Sequence, residues 1–212
     1  MQSDYCVVIG DISKSRELRD RAAIQEQFKA AIEEINQRFT DCIVSRFLVT
    51  IGDEFQGVLS DVAKSYDVIV AVRELLYPVQ FVFGVGVGTI TTEIAPEAIG
   101  MDGPAFHNAR AALEEGKEEG YEVRYRGLGE PFDNLINAML VLIEALKHRW
   151  TERQFRVISI YRQTGSQAEV ARRLRVSRAA ISKTLAAAGW DAVAVGENAL
   201  KTLLSTGFQK SF

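Results

Sequence analysis

Histidine and cysteine are scarce, at two each in 212 residues. That is too few for the Cys- and His-rich tetrahedral sets of structural zinc sites. Cys6 and Cys42 could form at most one bridge. Both sit in apolar, strand-like runs and read as buried free thiols of a reducing compartment. Long hydrophobic runs are also missing. The stretches around Phe81 to Ile90 and Leu135 to Leu146 are interrupted and too short to span a bilayer. Met1-Gln2-Ser3-Asp4 lacks the basic-then-apolar pattern of a secretory signal. These absences lead to the expectation of a cytoplasmic protein with no membrane partner. With 47% hydrophobic and 25% charged residues, the chain has globular composition and material for one domain or two small ones.

The formal net charge of -3 conceals a division. Between Trp150 and Trp190, eight basic residues (Arg153, Arg156, Arg162, Arg172, Arg173, Arg175, Arg178 and Lys183) face only Glu152 and Glu169, a local charge of +6. The remainder has 17 basic against 26 acidic residues, or -9. One end is basic and the rest acidic.

The β-branched run from Tyr5 to Gly10 predicts a buried strand with Asp11 at its C-terminal edge. Apolar residues at 22, 24, 28, 32, 35 and 39 predict an amphipathic helix from Arg19 to Phe39. Ile43 to Thr50 and Phe55 to Leu59 form a hairpin across Ile51-Gly52-Asp53-Glu54. Asp61 caps a helix that reaches Leu76 and stops before Pro78. In the strand from Val79 to Ile90, Gly84, Gly86 and Gly88 share one face. Such a bare face lets a ligand approach the backbone or lets a helix pack closely. A helix from Gly103 to about Gly116 and a strand from Tyr121 to Tyr125 follow. The order β-α-β-β-α-β-α-β indicates an α+β, ferredoxin-like sheet with a central hairpin and helices on one face. After Gly129 the pattern is wholly helical. The expected domains are therefore 1–129, α+β, and 130–212, all-α with a helix-turn-helix near 167–187.

Asp11 and Asp53-Glu54 converge if the first strand lies beside the hairpin. Adjacent carboxylates repel unless a cation neutralises them, and an all-oxygen set favours Mg²⁺ or Mn²⁺. Such ions share phosphate oxygens with nucleotides. Ser13-Lys14-Ser15-Arg16 supplies N–H groups, hydroxyls and cations for a phosphate cradle to which Gly52 also belongs. Turn chemistry alone would equally place Asp11, Gly52 and Asp53, and Lys14 and Arg16 could be a solvated face.

Asp11-Ile12, Ile51-Gly52-Asp53-Glu54-Phe55 and the Gly84-Val85-Gly86-Val87-Gly88 strand look like the palm-type core of the nucleotidyl cyclase superfamily, which includes class III and GGDEF cyclases. Asp11 to Arg16, Gly52-Asp53-Glu54-Phe55-Gln56-Gly57 and Gly103-Pro104-Ala105-Phe106 through Ala109-Arg110 more closely resemble the SatD family, over nearly the whole chain. The resemblance implies Asp11 and Asp53 as metal carboxylates, the Ile12 carbonyl as a third ligand and Glu54 beside them. It implies a nucleoside triphosphate or cyclic nucleotide as ligand. Val49 stands where adenylyl cyclases carry a base-reading Lys, and Ile51 where GGDEF proteins carry their first Gly. The catalytic candidates on the following helix are His107 or Asn108 and Arg110, at shifted spacing.

Gln167 to Leu185 has helix-turn-helix form. Ala171 allows a close helix crossing, and Val170, Leu174, Val176, Ile181 and Leu185 are its expected core. Ser177 caps a second helix that presents Arg178, Ala179, Ser182 and Lys183 to base edges and phosphates. Arg172, Arg173 and Arg175 would meet phosphates of double-stranded DNA. Arg175 replaces the Gly usual in such turns.

The leading expectation is a DNA-binding transcription regulator whose cyclase-like domain binds a nucleotide with Mg²⁺ or Mn²⁺. It would act as a homodimer, with the Pro131 to Leu146 helix as the candidate contact unless that helix is buried within one chain. The alternative is a metal-dependent nucleotide cyclase or nucleotidyltransferase with a regulatory tail. A third reading is a non-catalytic dimerisation adaptor.

Overall fold

Cys6, Val7, Val8 and Ile9 are all buried, as a run apolar on both faces must be, and they form the middle of a five-stranded sheet. The computed structural model describes residues 4–13, 21–50 and 52–209. Two compact units divide the chain: Met1–Ala138 with Lys201–Phe212, and Met139–Leu200.

The first unit is α+β. Its sheet contains β1 (Tyr5–Ile12), β2 (Ile43–Val49), β3 (Glu54–Leu59), β4 (Phe81–Gly88) and β5 (Val123–Arg126), in the order β2-β3-β1-β4-β5. β1 is antiparallel to β3 and β4, β2 is antiparallel to β3, and β5 runs parallel to β4. β1 runs past the expected end at Gly10, because Asp11 still has strand partners in Glu54 and Val82. Gly52, at φ 74°, supplies the left-handed residue that turns β2 into β3. The Asp61 side chain accepts the Ala63 N–H at 2.9 Å and opens a short 3₁₀ turn before α2 (Ser65–Leu76). That helix ends at Tyr77, which is extended ahead of Pro78.

Helices cover both faces of the sheet, which corrects the expected one-sided arrangement. On one face Phe28 of α1 (Arg21–Arg38) meets Phe55 and Phe81, with ring centroids 5.7 and 5.8 Å apart, and Phe83 continues the cluster. On the other face lies α3 (Pro104–Glu119), packed against β4. A Cβ at Gly84 would fall on the Ala109 carbonyl and the Leu113 amide, and one at Gly86 on the Ala105 carbonyl and the Ala109 amide. The bare glycine face is therefore filled by helix backbone, and no ligand has access to it.

The second unit is helical. α4 (Glu130–Lys147) enters it with Ile136, Leu140 and Ile143 buried and Leu135 and Leu142 exposed. α5 (Glu152–Thr164) starts with a capping box between Thr151 and Gln154. Ser166 caps α6 (Gln167–Leu174), and Ser177 caps α7 (Arg178–Ala187) as its position predicts. Val157, Ile158, Val170, Ala171, Ile181, Leu185 and Ala188 form their shared core. Val176, expected in that core, is 37% exposed. It follows Arg175, whose left-handed conformation turns the chain outward, and Val176 lines an open groove of about 390 Å³ with Arg153, Arg156 and Leu174. α8 (Trp190–Gln209) is the last element of the described residues. Among the described residues, no helix is long and apolar enough to cross a membrane.

Candidate functional site at the acidic strand end

Strand alternation places Val7, Ile9 and Val58 on the α3 face of the sheet, and by the same period Asp11 and Glu54. These two acids are directly opposed in the β1–β3 register. Like charges so placed destabilise a sheet unless something neutralises them. α3 supplies the compensation. Its buried side, Ala105, Ala109, Leu113 and Gly116, fits onto the glycine strand. Arg110 and Lys117, seven residues apart, project from one flank two turns apart.

Arg110 grips the Glu54 carboxylate with its two terminal guanidinium nitrogens, at 2.5 and 2.7 Å. Lys117 Nζ lies 2.5 Å from Asp11 Oδ2. The acids are largely covered, at 19% exposure for Asp11 and 18% for Glu54, whereas both cations are 42% exposed. Hydrogen bonding to Glu54 raises the Arg110 pKa above its ordinary value, with Glu114 and Asp11 adding to the field. Asp53 occupies the turn beside them. Its carbonyl accepts the Ile12 N–H at 3.1 Å, and its carboxylate has no hydrogen-bond or ion-pair partner among the described residues.

The string from Gly52 to Gly57 divides its labour. Gly52 makes the turn, and Asp53 and Glu54 carry the charge. Phe55 enters the aromatic core. The Gln56 amide donates to the Ala98 carbonyl, and Gly57 leaves room for the Phe47 ring. The catalytic candidates on α3 separate. Arg110 faces the acids, whereas the Asn108 amide donates to the Val87 carbonyl at 2.9 Å and fastens α3 to the end of β4. His107 Nε2 lies 2.7 Å from Asp102 at the exposed start of the helix. The Ser13 N–H donates to the Gln80 carbonyl at 2.8 Å. Lys14, Ser15 and Arg16, the rest of the expected cradle, lie outside the described residues. Sequence reasoning missed Lys117. Its spacing of two turns from Arg110 on an amphipathic helix was the available signal.

A divalent cation meets a suitable donor set here, since the Asp11, Asp53 and Glu54 carboxylates and the Ile12 carbonyl are all hard oxygens. Among the described residues, however, no three acidic, His or Cys side chains are gathered to hold an ion. Asp11 and Glu54 are turned to Lys117 and Arg110. The residues fit such an ion in chemistry, and two internal ion pairs must open for it to be held.

A family model of the SatD family matches residues 5–204. The chain belongs to the SatD family. No curated protein matches it. Among solved structures, it is similar to the catalytic core of a rhodopsin-guanylyl cyclase with converted specificity in complex with ATPαS. The identity is 18%, over 53% of this chain and 72% of that one, with a TM-score of 0.43. It is also similar to a bacterial light-regulated adenylyl cyclase, at 12% identity over 59% of this chain and 76% of that one, TM-score 0.42. A regulator of polyketide synthase expression from Bifidobacterium adolescentis aligns at 14% identity over 99% of this chain and 87% of its own, TM-score 0.26.

In the helical unit of this SatD-family chain, Arg172 and Arg173 both bind Glu169, at 2.7 and 2.8 Å. Hydrogen bonds from these two arginines lower its carboxyl pKa to about 2. Arg175 adopts the left-handed conformation at φ 53°, ψ 45° and ends α6. The Ser177 hydroxyl accepts the Ala180 N–H at 3.1 Å. Arg178, Ala179, Ser182 and Lys183 are all exposed along α7.

Proposed function

We propose that the α+β unit of this SatD-family protein binds a nucleoside polyphosphate together with Mg²⁺ or Mn²⁺ at the Asp11–Asp53–Glu54 strand end, as a metal-dependent nucleotide cyclase or nucleotidyltransferase. One observation carries the reading. α3 aims Arg110 and Lys117 at Glu54 and Asp11, two opposed carboxylates of one strand end beside the Asp53 turn. A metal–polyphosphate ligand has the complementary pair of charges, a cation for the acids and phosphate oxygens for the bases. The order β2-β3-β1-β4, antiparallel throughout, supports reading that core as ferredoxin-like, with the strand ends as its reaction edge.

In this reading Asp11 and Asp53 would hold the ion with the Ile12 carbonyl, with Glu54 beside them. The ion, when bound, supplies charge neutralisation at the α-phosphate and activation of the attacking hydroxyl. Arg110 contributes a planar, permanently charged fork matched to phosphate oxygens. The deciding experiment is thermal unfolding with ATP or GTP, each with and without Mn²⁺, followed by product analysis. A ligand at about 100 times its Kd adds roughly 2.7 kcal/mol. A metal-dependent shift that disappears in Asp53→Ala, with pyrophosphate released, is expected. No shift with either nucleotide would end this reading.

A second reading belongs to the helical unit, and exposed α7 behind its tight turn favours it. We propose that α6 and α7 form a DNA-binding helix-turn-helix supported by α5. Arg178, Ser182 and Lys183 would lie toward the major groove and Arg172, Arg173 and Arg175 toward phosphates. A homodimer would present two such helices to a regulatory site. Duplex DNA affinity measured by anisotropy should fall steeply with salt. Affinity unchanged by Arg178→Ala and Lys183→Ala together would exclude α7 as the reading element.

A further inference from the structure

The two ion pairs at the strand end constrain how a ligand can enter, an inference that rests on the nucleotide-binding reading above. Asp11 and Glu54 already have cationic partners, Lys117 and Arg110. A divalent ion arriving alone must displace those cations. It would then leave an ammonium and a guanidinium unpaired beside a doubly charged ion. A nucleotide arriving alone can recruit Arg110 and Lys117 only by stripping them from Glu54 and Asp11. Its phosphates would then face the uncompensated Asp11 and Glu54 carboxylates. Either arrival separates opposite charges and brings like charges together.

Arrival of both reverses the balance. The ion takes the carboxylates, the phosphates take the two cations, and every charge keeps an opposite neighbour. The geometry permits this exchange, because the acids are fixed on strands whereas both cations sit on long side chains that are 42% exposed. Asp53, whose carboxylate has no partner among the described residues, offers the ion a first foothold.

We propose that Arg110 and Lys117 exchange partners on binding, from Glu54 and Asp11 to phosphate oxygens, so that divalent cation and nucleotide bind as a coupled pair. Lys117 thereby has two roles, counter-ion of the ligand-free site and phosphate ligand of the filled one. Because coupling is reciprocal, the ion must tighten nucleotide binding by the factor by which the nucleotide tightens the ion. Couplings of this kind span about 5- to 150-fold.

The test is calorimetry on the full chain with three probes: Mn²⁺ alone, ATP or GTP alone in EDTA, and each nucleotide with Mn²⁺. The known stability of the solution complex is subtracted. The wild-type chain should show coupling in the stated range. Lys117→Met should bind Mn²⁺ alone more tightly than wild type yet bind the Mn²⁺–nucleotide pair less tightly, and Lys117→Arg should restore the pair. Opposite movements on one substitution are a result that a merely structural lysine would not produce. If the wild type binds the pair but with a coupling factor near one, the exchange is wrong and the nucleotide site stands. If Lys117→Met leaves Mn²⁺ alone unchanged, the exchange is equally overturned. If the wild type binds no nucleotide under any condition, the proposed function fails and this inference with it.

Discussion

Arg175 holds φ 53° and ψ 45° between α6 and α7, a conformation in which an L-residue's β-carbon crowds the following carbonyl at a cost of about 1–2 kcal/mol. Glycine avoids that crowding but loses more chain entropy on folding, by roughly 0.5–1 kcal/mol. The difference favours glycine by about 0.5–1 kcal/mol. Arg175→Gly should therefore raise the midpoint of thermal unfolding by a few degrees. The same change removes one of the cations that the proposed helix-turn-helix reading turns toward phosphate, so on that reading DNA affinity should fall as stability rises. A lowered midpoint would mean that the arginine side chain contributes contacts worth more than its backbone strain. The departure from glycine was legible in the sequence, and so was the convergence of Asp11 with the Asp53-Glu54 hairpin end, because that needs only the first strand to lie beside the hairpin. Arg110 stood out on its helix, but the pairing of either cation with those acids was not legible. Lys117 is more than a hundred residues from Asp11, and no local spacing connects them. The register that opposes Asp11 to Glu54 exists only once β1 has paired with β3.

At the scale of the element, α3 and β4 are the decisive pair. Gly84, Gly86 and Gly88 form a face stripped for close approach, and of the two occupants their spacing allows, ligand or helix, the body found there is the α3 backbone. Alternation gives the face but not its occupant, which is why the expected sheet had helices on one side only. This close fit also sets the reach of Arg110 and Lys117 to the acids. Gly84→Ala places a methyl group against the Ala109 carbonyl and the Leu113 amide. Backbone atoms cannot swing aside, so α3 must lift. Overpacking of this kind typically costs about 1–3 kcal/mol. The lowered urea midpoint should be accompanied, on the nucleotide-binding reading proposed above, by a loss of nucleotide binding larger than in Val82→Ala, a substitution on the same face that adds no bulk. A Gly84→Ala chain that unfolds at the wild-type midpoint would show that the helix is not seated on the glycine strand.

Across the whole molecule, charge is used in two ways. The α+β unit keeps the acids and bases of its strand end partly exposed, and the helical unit buries one cluster around Glu197. Glu197 is 3% exposed, with Lys147 Nζ at 2.8 Å and an Arg162 nitrogen at 2.7 Å. Burial alone would raise its carboxyl pKa. Lys147 and Arg162 outweigh burial and lower it from an ordinary 4.5 to about 2. The folded state therefore binds this proton less readily than the unfolded chain. The associated stability is present in full above about pH 4.5 and disappears as pH falls toward 2. At about 1.4 kcal/mol per pH unit, the depression corresponds to roughly 3 kcal/mol. That agrees with the cost of breaking a buried pair. Both tryptophans of the chain, Trp150 and Trp190, lie in this unit. The Trp150 indole donates to the Ala188 carbonyl at 2.8 Å, and the Arg162 guanidinium stacks 4.7 Å from the Trp190 ring centre. Tryptophan fluorescence thus isolates the helical unit, while far-ultraviolet dichroism averages over both. Glu197→Gln should lower the fluorescence-detected stability at pH 7 by about 3 kcal/mol. It should also remove the part of the acid limb between pH 4.5 and 2 that Glu197 carries. An acid limb equally steep in the variant would assign that proton uptake to other carboxylates and leave Glu197 as a packing group only.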